Sequence, residues 1–331
     1  EMLWERVKEA DSNYPQVAAK LSNILLGPIT NQLGNKRLLI VGDGLLQYIP
    51  FAALPIPAVS NPDSKFKSQG LPVPLIVENE IVSLPSASTL VMQRRELAEH
   101  ESAPKTIAIF ANPVGGLVPL PKTEWTAKKI LALVKPKMGK LFTRFDANLT
   151  TATSPELYQY RIIDFMTHGF LDSDFKQSGI VLSLVDREGR KQDGLLNAAA
   201  IFNLKLRADL VVLAACQSGL DLDPDPLKES ENYDQRIKRV KDQGLSVLAR
   251  GFIYAGAKRV KVSLWNIQED ATVELLYRFY KAMLGPENLP PAAALRSAQI
   301  QMLKLGKWSN PYYWAAFVIS GEYNGDNITS R

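Results

Sequence analysis

Asp209-Leu210-Val211-Val212-Leu213-Ala214-Ala215-Cys216-Gln217-Ser218-Gly219 is the stretch that decides the fold. Leu210 to Leu213 has no polar break, the mark of a central strand covered on both faces. Two alanines follow, then the only cysteine of the chain, then a Ser-Gly pair that lets the backbone turn. A thiol at the carboxyl end of a buried parallel strand sits where open α/β sheets place their chemistry. Working outward, Arg161-Ile162-Ile163-Asp164-Phe165-Met166-Thr167-His168-Gly169 repeats the design with a histidine and a glycine after an apolar strand. Two neighbouring strands that end this way bring imidazole and thiol to one rim, the constellation a cysteine nucleophile needs.

Composition bounds the classes. The chain has 331 residues, 46% hydrophobic and 22% charged, as expected of a globular protein with a large core. One cysteine excludes an internal disulfide, and one cysteine with two histidines cannot make a zinc site by themselves. No metal site is therefore expected, and nothing in the sequence suggests a cofactor. A lone thiol fits a reducing, cytoplasmic setting. There is no run of 18 apolar residues and no signal-peptide layout at the start, so no membrane role is expected. The opening Glu1-Met2 fits a piece excised from a longer protein. The net charge of +5 is small and scattered, which reads as a solvated surface rather than a nucleic-acid footprint.

Along the chain, Leu3 to Leu33 carries helical spacing broken near Pro15. Arg37 to Val41 and Gln47 to Phe51 read as two strands of a hairpin around Gly42-Asp43-Gly44. A nucleotide-binding reading of those glycines lacks the third glycine and the helix that should follow. Asn61 to Pro74 reads as an exposed loop. Leu75 to Val77 and Glu80 to Leu84 read as a short strand or pair, and Ser86 caps a helix bearing Leu90, Met92 and Leu97. His100, among charges, reads as a solvated surface residue. From Thr106 onward strands and helices alternate. Trp125, Ile130, Leu131 and Val134 form the apolar positions of one helix, Gly179 to Leu184 is an antiparallel strand, and Leu245 to Ala255 is a helix of small residues. The alternation argues for an α/β fold with a parallel or mixed sheet and helices on both faces. The chain divides into an N-terminal part over 1–103, with helices and a β-hairpin, and a second unit over 104–331. A mobile insertion loop spans 221–242, where two Asp-Pro steps disfavour helix.

A cysteine after an aliphatic strand is often only a small buried hydrophobe, and a strand-end histidine only a satisfied polar group. Here each ends a predicted central strand, and no other thiol exists. A free thiol of pKa ~8.5 is only a few per cent thiolate near neutrality. Imidazole within hydrogen-bond reach takes its proton and later protonates the leaving amine. The backbone N–H groups of Gly169 and Cys216 are suited by sequence to an oxyanion hole. No third member of a triad is evident: Asp164 shares a strand face with His168 but stands four residues back, roughly 13 Å along an extended strand.

Thr167-His168-Gly169, Val212 to Gly219, Val262-Ser263-Leu264-Trp265 and Asn310-Pro311-Tyr312-Tyr313-Trp314-Ala315-Ala316-Phe317 together resemble the CHAT domain, as does Leu39 through Leu54. CHAT domains group with caspases, separases and gingipains. The resemblance implies a caspase-like three-layer α/β sandwich with a mostly parallel central sheet, a catalytic core over 104–331 with a His168–Cys216 dyad, and frequent fusion to tetratricopeptide (TPR) repeats, none of which lie in this chain. The pattern departs in three places. Gln217 stands where many relatives have Glu, Asn310 replaces a common His, and the loop over 221–242 is long. By similarity that loop gates the cleft or is itself cut after Arg236, Lys238 or Arg239; a tolerated surface insertion is the other reading. The family likeness also puts substrate backbone along Ser263 to Asn266, with Trp265 read either as core or as a pocket wall. Asp164, Asp221 and Asp223 are candidate acids for a basic substrate side chain, and Gln217 for substrate preference. The expected function is a cytoplasmic cysteine endopeptidase acting on specific protein partners through a thioester; the alternative is a catalytically silent CHAT-fold interaction module.

Overall fold

The computed structural model describes residues 14–42, 44–57, 73–84, 86–97, 101–170, 178–214, 247–265, 267–324 and 327–328. In chain order its strands are β1 (Leu38–Ile40), β2 (Ile81–Ser83), β3 (Lys105–Ala111), β4 (Gly139–Thr143), β5 (Tyr160–Met166), β6 (His168–Phe170), β7 (Gly179–Val181), β8 (Leu195–Asn197), β9 (Leu210–Leu213), β10 (Arg259–Ser263) and β11 (Phe317–Gly321). The principal helices are α1 (Tyr14–Leu26), α2 (Ala87–Leu97), α3 (Pro121–Leu131), α4 (Ala198–Phe202), α5 (247–254), α6 (Glu269–Leu284) and α7 (Pro291–Lys304).

The strands form an eight-stranded sheet in the order β1-β2-β11-β10-β9-β5-β3-β4 and a three-stranded sheet β6-β7-β8. β4, β3, β5, β9 and β10 run parallel. β11 is antiparallel to β10, and β2 and β1 keep the direction of β11. Both faces of the sheet are dry because alternate residues bury on opposite sides. Ile162 and Met166 of β5 and Leu210 and Val212 of β9 join Ile130, Leu275, Phe279 and Leu295 of α3, α6 and α7. Ile163, Phe165, Val211 and Leu213 join Ile201 of α4 and Leu248 and Phe252 of α5. Phe142, Phe110, Phe165 and Phe252 make a ladder of ring contacts across that second face, with centroids 4.7, 5.0 and 5.8 Å apart. Burying one such large side chain stabilises by about 1.5–3 kcal/mol. A one-residue slip of β5 on β9 would exchange the two faces, so the register is strongly set.

At the amino edge, opposite the expected site, Arg161 and Asp209 form a buried ion pair at 2.5 Å. Lys258 reaches the other carboxylate oxygen at 2.7 Å, and Arg161 also donates to the Ile328 carbonyl. Arg259 donates to the carbonyls of Glu322, Asp209 and Asn324, tying the residues after β11 to the strand ends.

Several expectations need correction. The hairpin over 37–51 does not form. Gly44–Tyr48 and Phe51–Ala53 are 3-10 turns, Pro50 between them has no N–H for a strand ladder, and β1 pairs in parallel with β2. The two N-terminal strands are thus rim strands of the same sheet rather than a β-hairpin unit of their own. Leu75–Val77 is a 3-10 turn following Pro74, so only β2 remains of the expected pair. β7 is antiparallel as expected but belongs to the small sheet. Trp125 is 58% exposed rather than core, with the Lys129 ammonium 3.5 Å above its ring, a cation–π contact that uses the outward face. The Ser86 cap is present: its Oγ accepts the Thr89 N–H at 3.0 Å. The helical reading of 3–13 and the loops over 61–72 and 221–242 lie outside the described residues.

Candidate active site

The five parallel strands reproduce a doubly wound pattern. The chain goes from β3 outward to β4, returns across β3 to β5, and continues through β9 to β10. The switch in direction falls between β3 and β5, and the carboxyl ends of strands at such a switch are the place where these sheets hold ligands. β5 and β9 are register neighbours from Ile162↔Leu210 to Phe165↔Leu213, and the Ala214 N–H donates to the Phe165 carbonyl at 3.1 Å. His168 follows β5 by two residues. Cys216, Gln217, Asp221, Asp223, Arg236, Lys238, Arg239 and Asn266 lie outside the described residues, as does His100.

His168 opens β6 opposite Val181, and Gly169 stands opposite Ile180. His168 is 4% exposed, and its Nε2 lies 2.7 Å from the Val118 carbonyl oxygen. A carbonyl only accepts, so Nε2 carries the proton and Nδ1 is the basic nitrogen of the neutral ring. The bond joins the chain after β5 to the segment between β3 and α3, which carries Val118. This partner of the ring was not evident in the sequence. A backbone carbonyl has no residue signature, and the only hint was the turn chemistry of Asn112-Pro113 and Gly115-Gly116. Asn112 has φ +50°, and Gly115 and Gly116 have φ +117° and +83°.

Three of the residues named as candidate substrate contacts are buried. Asp164 is fully buried inside β5, where its Oδ2 accepts the Tyr280 hydroxyl at 2.7 Å. Burial pushes its carboxyl up to about 7, with the Tyr280 hydrogen bond and the Lys261 charge opposing the shift. Lys261 stands across Val212 from Asp164, with its ammonium 3.6 Å above the Phe317 ring. Ser263 is 1% exposed at the end of β10, and Trp265 is fully buried. The Trp265 indole N–H donates to the Tyr312 carbonyl at 3.0 Å, so the core reading of Trp265 prevails over the pocket wall. Asn310, at its variant position, accepts the Tyr312 N–H at 2.9 Å and caps the turn over Pro311–Tyr313. Among the described residues no group of three or more His, Cys, Asp or Glu could hold a metal ion. No described helix is long and apolar enough to cross a membrane.

A profile of the CHAT domain matches residues 15–322. The chain belongs to the CHAT domain family. Human tetratricopeptide repeat protein 28 is 26% identical to this CHAT domain over 320 residues, covering 87% of this chain and 12% of the relative. The mouse protein of the same name is 31% identical over 127 residues, 38% of this chain and 4% of the relative. The chain thus spans about an eighth or less of the length of these curated relatives. Among solved structures, Saccharomyces cerevisiae separase, in its complex with securin, superposes with a TM-score of 0.51 at 16% identity, covering 83% of this CHAT domain and 15% of that chain. The Arg-specific cysteine proteinase gingipain R superposes with a TM-score of 0.51 at 11% identity, covering 97% of this chain and 73% of that one. The fold of the CHAT domain is the caspase-like α/β sandwich that these structures share.

Proposed function

We propose that this CHAT domain is a cysteine endopeptidase whose dyad is His168 and Cys216. The observation that carries the reading is the pairing of the strands that lead into the two residues. Ala214, two residues before Cys216, is hydrogen-bonded to Phe165, three residues before His168. The ring supports it too, because the bond to Val118 leaves Nδ1 as the proton acceptor. Nδ1 takes the Cys216 thiol proton as Sγ attacks the scissile carbonyl carbon. The carbonyl oxygen gathers negative charge against the backbone N–H groups of Gly169 and Cys216. Collapse breaks the C–N bond while the imidazolium returns its proton to the departing amine, leaving a thioester. Water then attacks the thioester, giving its proton to Nδ1, and the carboxylic acid leaves as the thiol is restored.

Gln217 and Asn266 would then contact substrate, the chain over 221–242 would gate the cleft or be cut after Arg236, Lys238 or Arg239, and a lone thiol suits a reducing, cytoplasmic setting. TPR repeats in a longer protein would present the substrate protein. A second reading is favoured by the relatives' own name: a CHAT-fold interaction module in a TPR protein, with the dyad silent. Labelling with a thiol-directed acyl probe separates the two. Labelling of the native chain that is lost in Cys216→Ala and His168→Ala is the enzyme's result; equal, slow labelling of native protein and His168→Ala belongs to the module.

A further inference from the structure

We infer that Ser183 is a positioning residue for His168, acting through the segment that carries the Val118 carbonyl; the inference rests on His168 serving as the base proposed above. Ser183 is fully buried. Its Oγ accepts the Val114 N–H at 3.0 Å and donates to the Arg144 carbonyl at 2.5 Å. The next residue repeats the grip, as the Leu184 N–H donates to the Val114 carbonyl at 2.8 Å. The far end of the same segment is closed by Asn112, whose Oδ1 accepts the Leu120 N–H at 2.9 Å. Val118 hangs between these two clamps.

The geometry explains why the clamp matters to the ring. Ser183 stands two residues after Val181, the register partner of His168. The strand that holds the histidine and the segment that holds its hydrogen-bond acceptor are therefore fastened to the same short stretch of chain. The 2.7 Å bond between them depends on that common anchor. Gly115 marks how close the approach is: a Cβ there would fall 2.8 Å from the Leu184 Cβ. Without the Ser183 hydroxyl, Val114 N–H and Arg144 C=O lose one partner each, and the Val118 carbonyl is no longer held at the imidazole. The ring then divides between its two tautomers, and the fraction with a basic Nδ1 falls.

The test is Ser183→Ala, with Asn112→Ala as the second variant that loosens the segment from its other end and serves if the first does not fold. Two readouts apply. The nitrogen NMR shifts of the imidazoles report the tautomer directly, and with two histidines in the chain His100→Gln assigns the spectrum. Steady-state kinetics on a cleaved peptide report kcat and KM separately. We expect the native His168 to show the Nε2-protonated form and each folded variant to show a mixture. For a lost orientation of the base, kcat falls at least about tenfold while KM stays within about twofold. Native-like tautomer signals in folded Ser183→Ala and Asn112→Ala would overturn the inference. If the native chain cleaves no peptide, the proposed function fails, and the tautomer signals still decide whether Ser183 positions the ring.

Discussion

His168 and Asp164 are four residues apart in the chain and meet different fates. The histidine stands just past the strand, beside a carbonyl that sets its tautomer, whereas the aspartate is sealed inside it. Removing the imidazole should cost about 10²- to 10⁴-fold in kcat/KM, the usual worth of general acid–base catalysis; His168→Ala measured on any substrate of the native chain checks this. Asp164 gives a pH prediction. Its carboxyl is raised from 3.8 to about 7 by burial, so the folded state holds the proton over a range where the unfolded chain has lost it. The stabilising contribution is full below pH 3.8 and is lost as pH rises to about 7. Relative to Asp164→Asn, the native protein should lose on the order of a few kcal/mol across that window. Urea unfolding of both proteins at pH 4 and pH 8 measures it, and parallel pH curves would contradict it.

Elements were legible in proportion to how one-sided their pattern was. The unbroken apolar run of β9, and β5 with Asp164 as the one polar residue between Ile162 and Met166, read as central strands, and their alternation with helices argued for a covered sheet. The segment over 47–51 misled because its apolar alternation suits a strand, while Pro50 cannot supply the ladder and β1 found its partner in β2. Trp265 was open between two readings because a buried indole and a pocket wall have the same sequence; the Tyr312 carbonyl settled it. Of the Val118 contact, only the turn chemistry of the segment that carries it was legible, since only the fold brings that carbonyl to the ring. The amino-edge charges were equally silent in sequence. Arg161 is 7% and Asp209 3% exposed, so Asp209→Asn leaves a buried guanidinium without its counter-charge. Breaking such a pair costs about 3–5 kcal/mol, which should appear as a lower urea midpoint with unchanged slope. A shift below about 0.5 kcal/mol, the range of ordinary surface substitutions, would show that Lys258 and the C-terminal carbonyls do not depend on that carboxylate.

At the scale of the whole molecule, the sheet divides its labour between its two edges. The amino edge is tied together by Arg161, Asp209, Lys258 and Arg259, while the carboxyl edge carries His168 beside the switch in strand order. For the proposed peptidase, this division puts the candidate reacting groups on a well-anchored scaffold. If the chain over 221–242 is a processing site, purified protein incubated alone should give two fragments with new termini after Arg236, Lys238 or Arg239; a single uncut band from labelled, active enzyme contradicts it. The most direct measurement is a peptide-library digest read by mass spectrometry for the native chain, His168→Ala and Cys216→Ala side by side. The expected result is a set of new termini that the native chain makes and both variants lack. No new termini from folded native protein, or the same termini from all three, would contradict a His168–Cys216 peptidase.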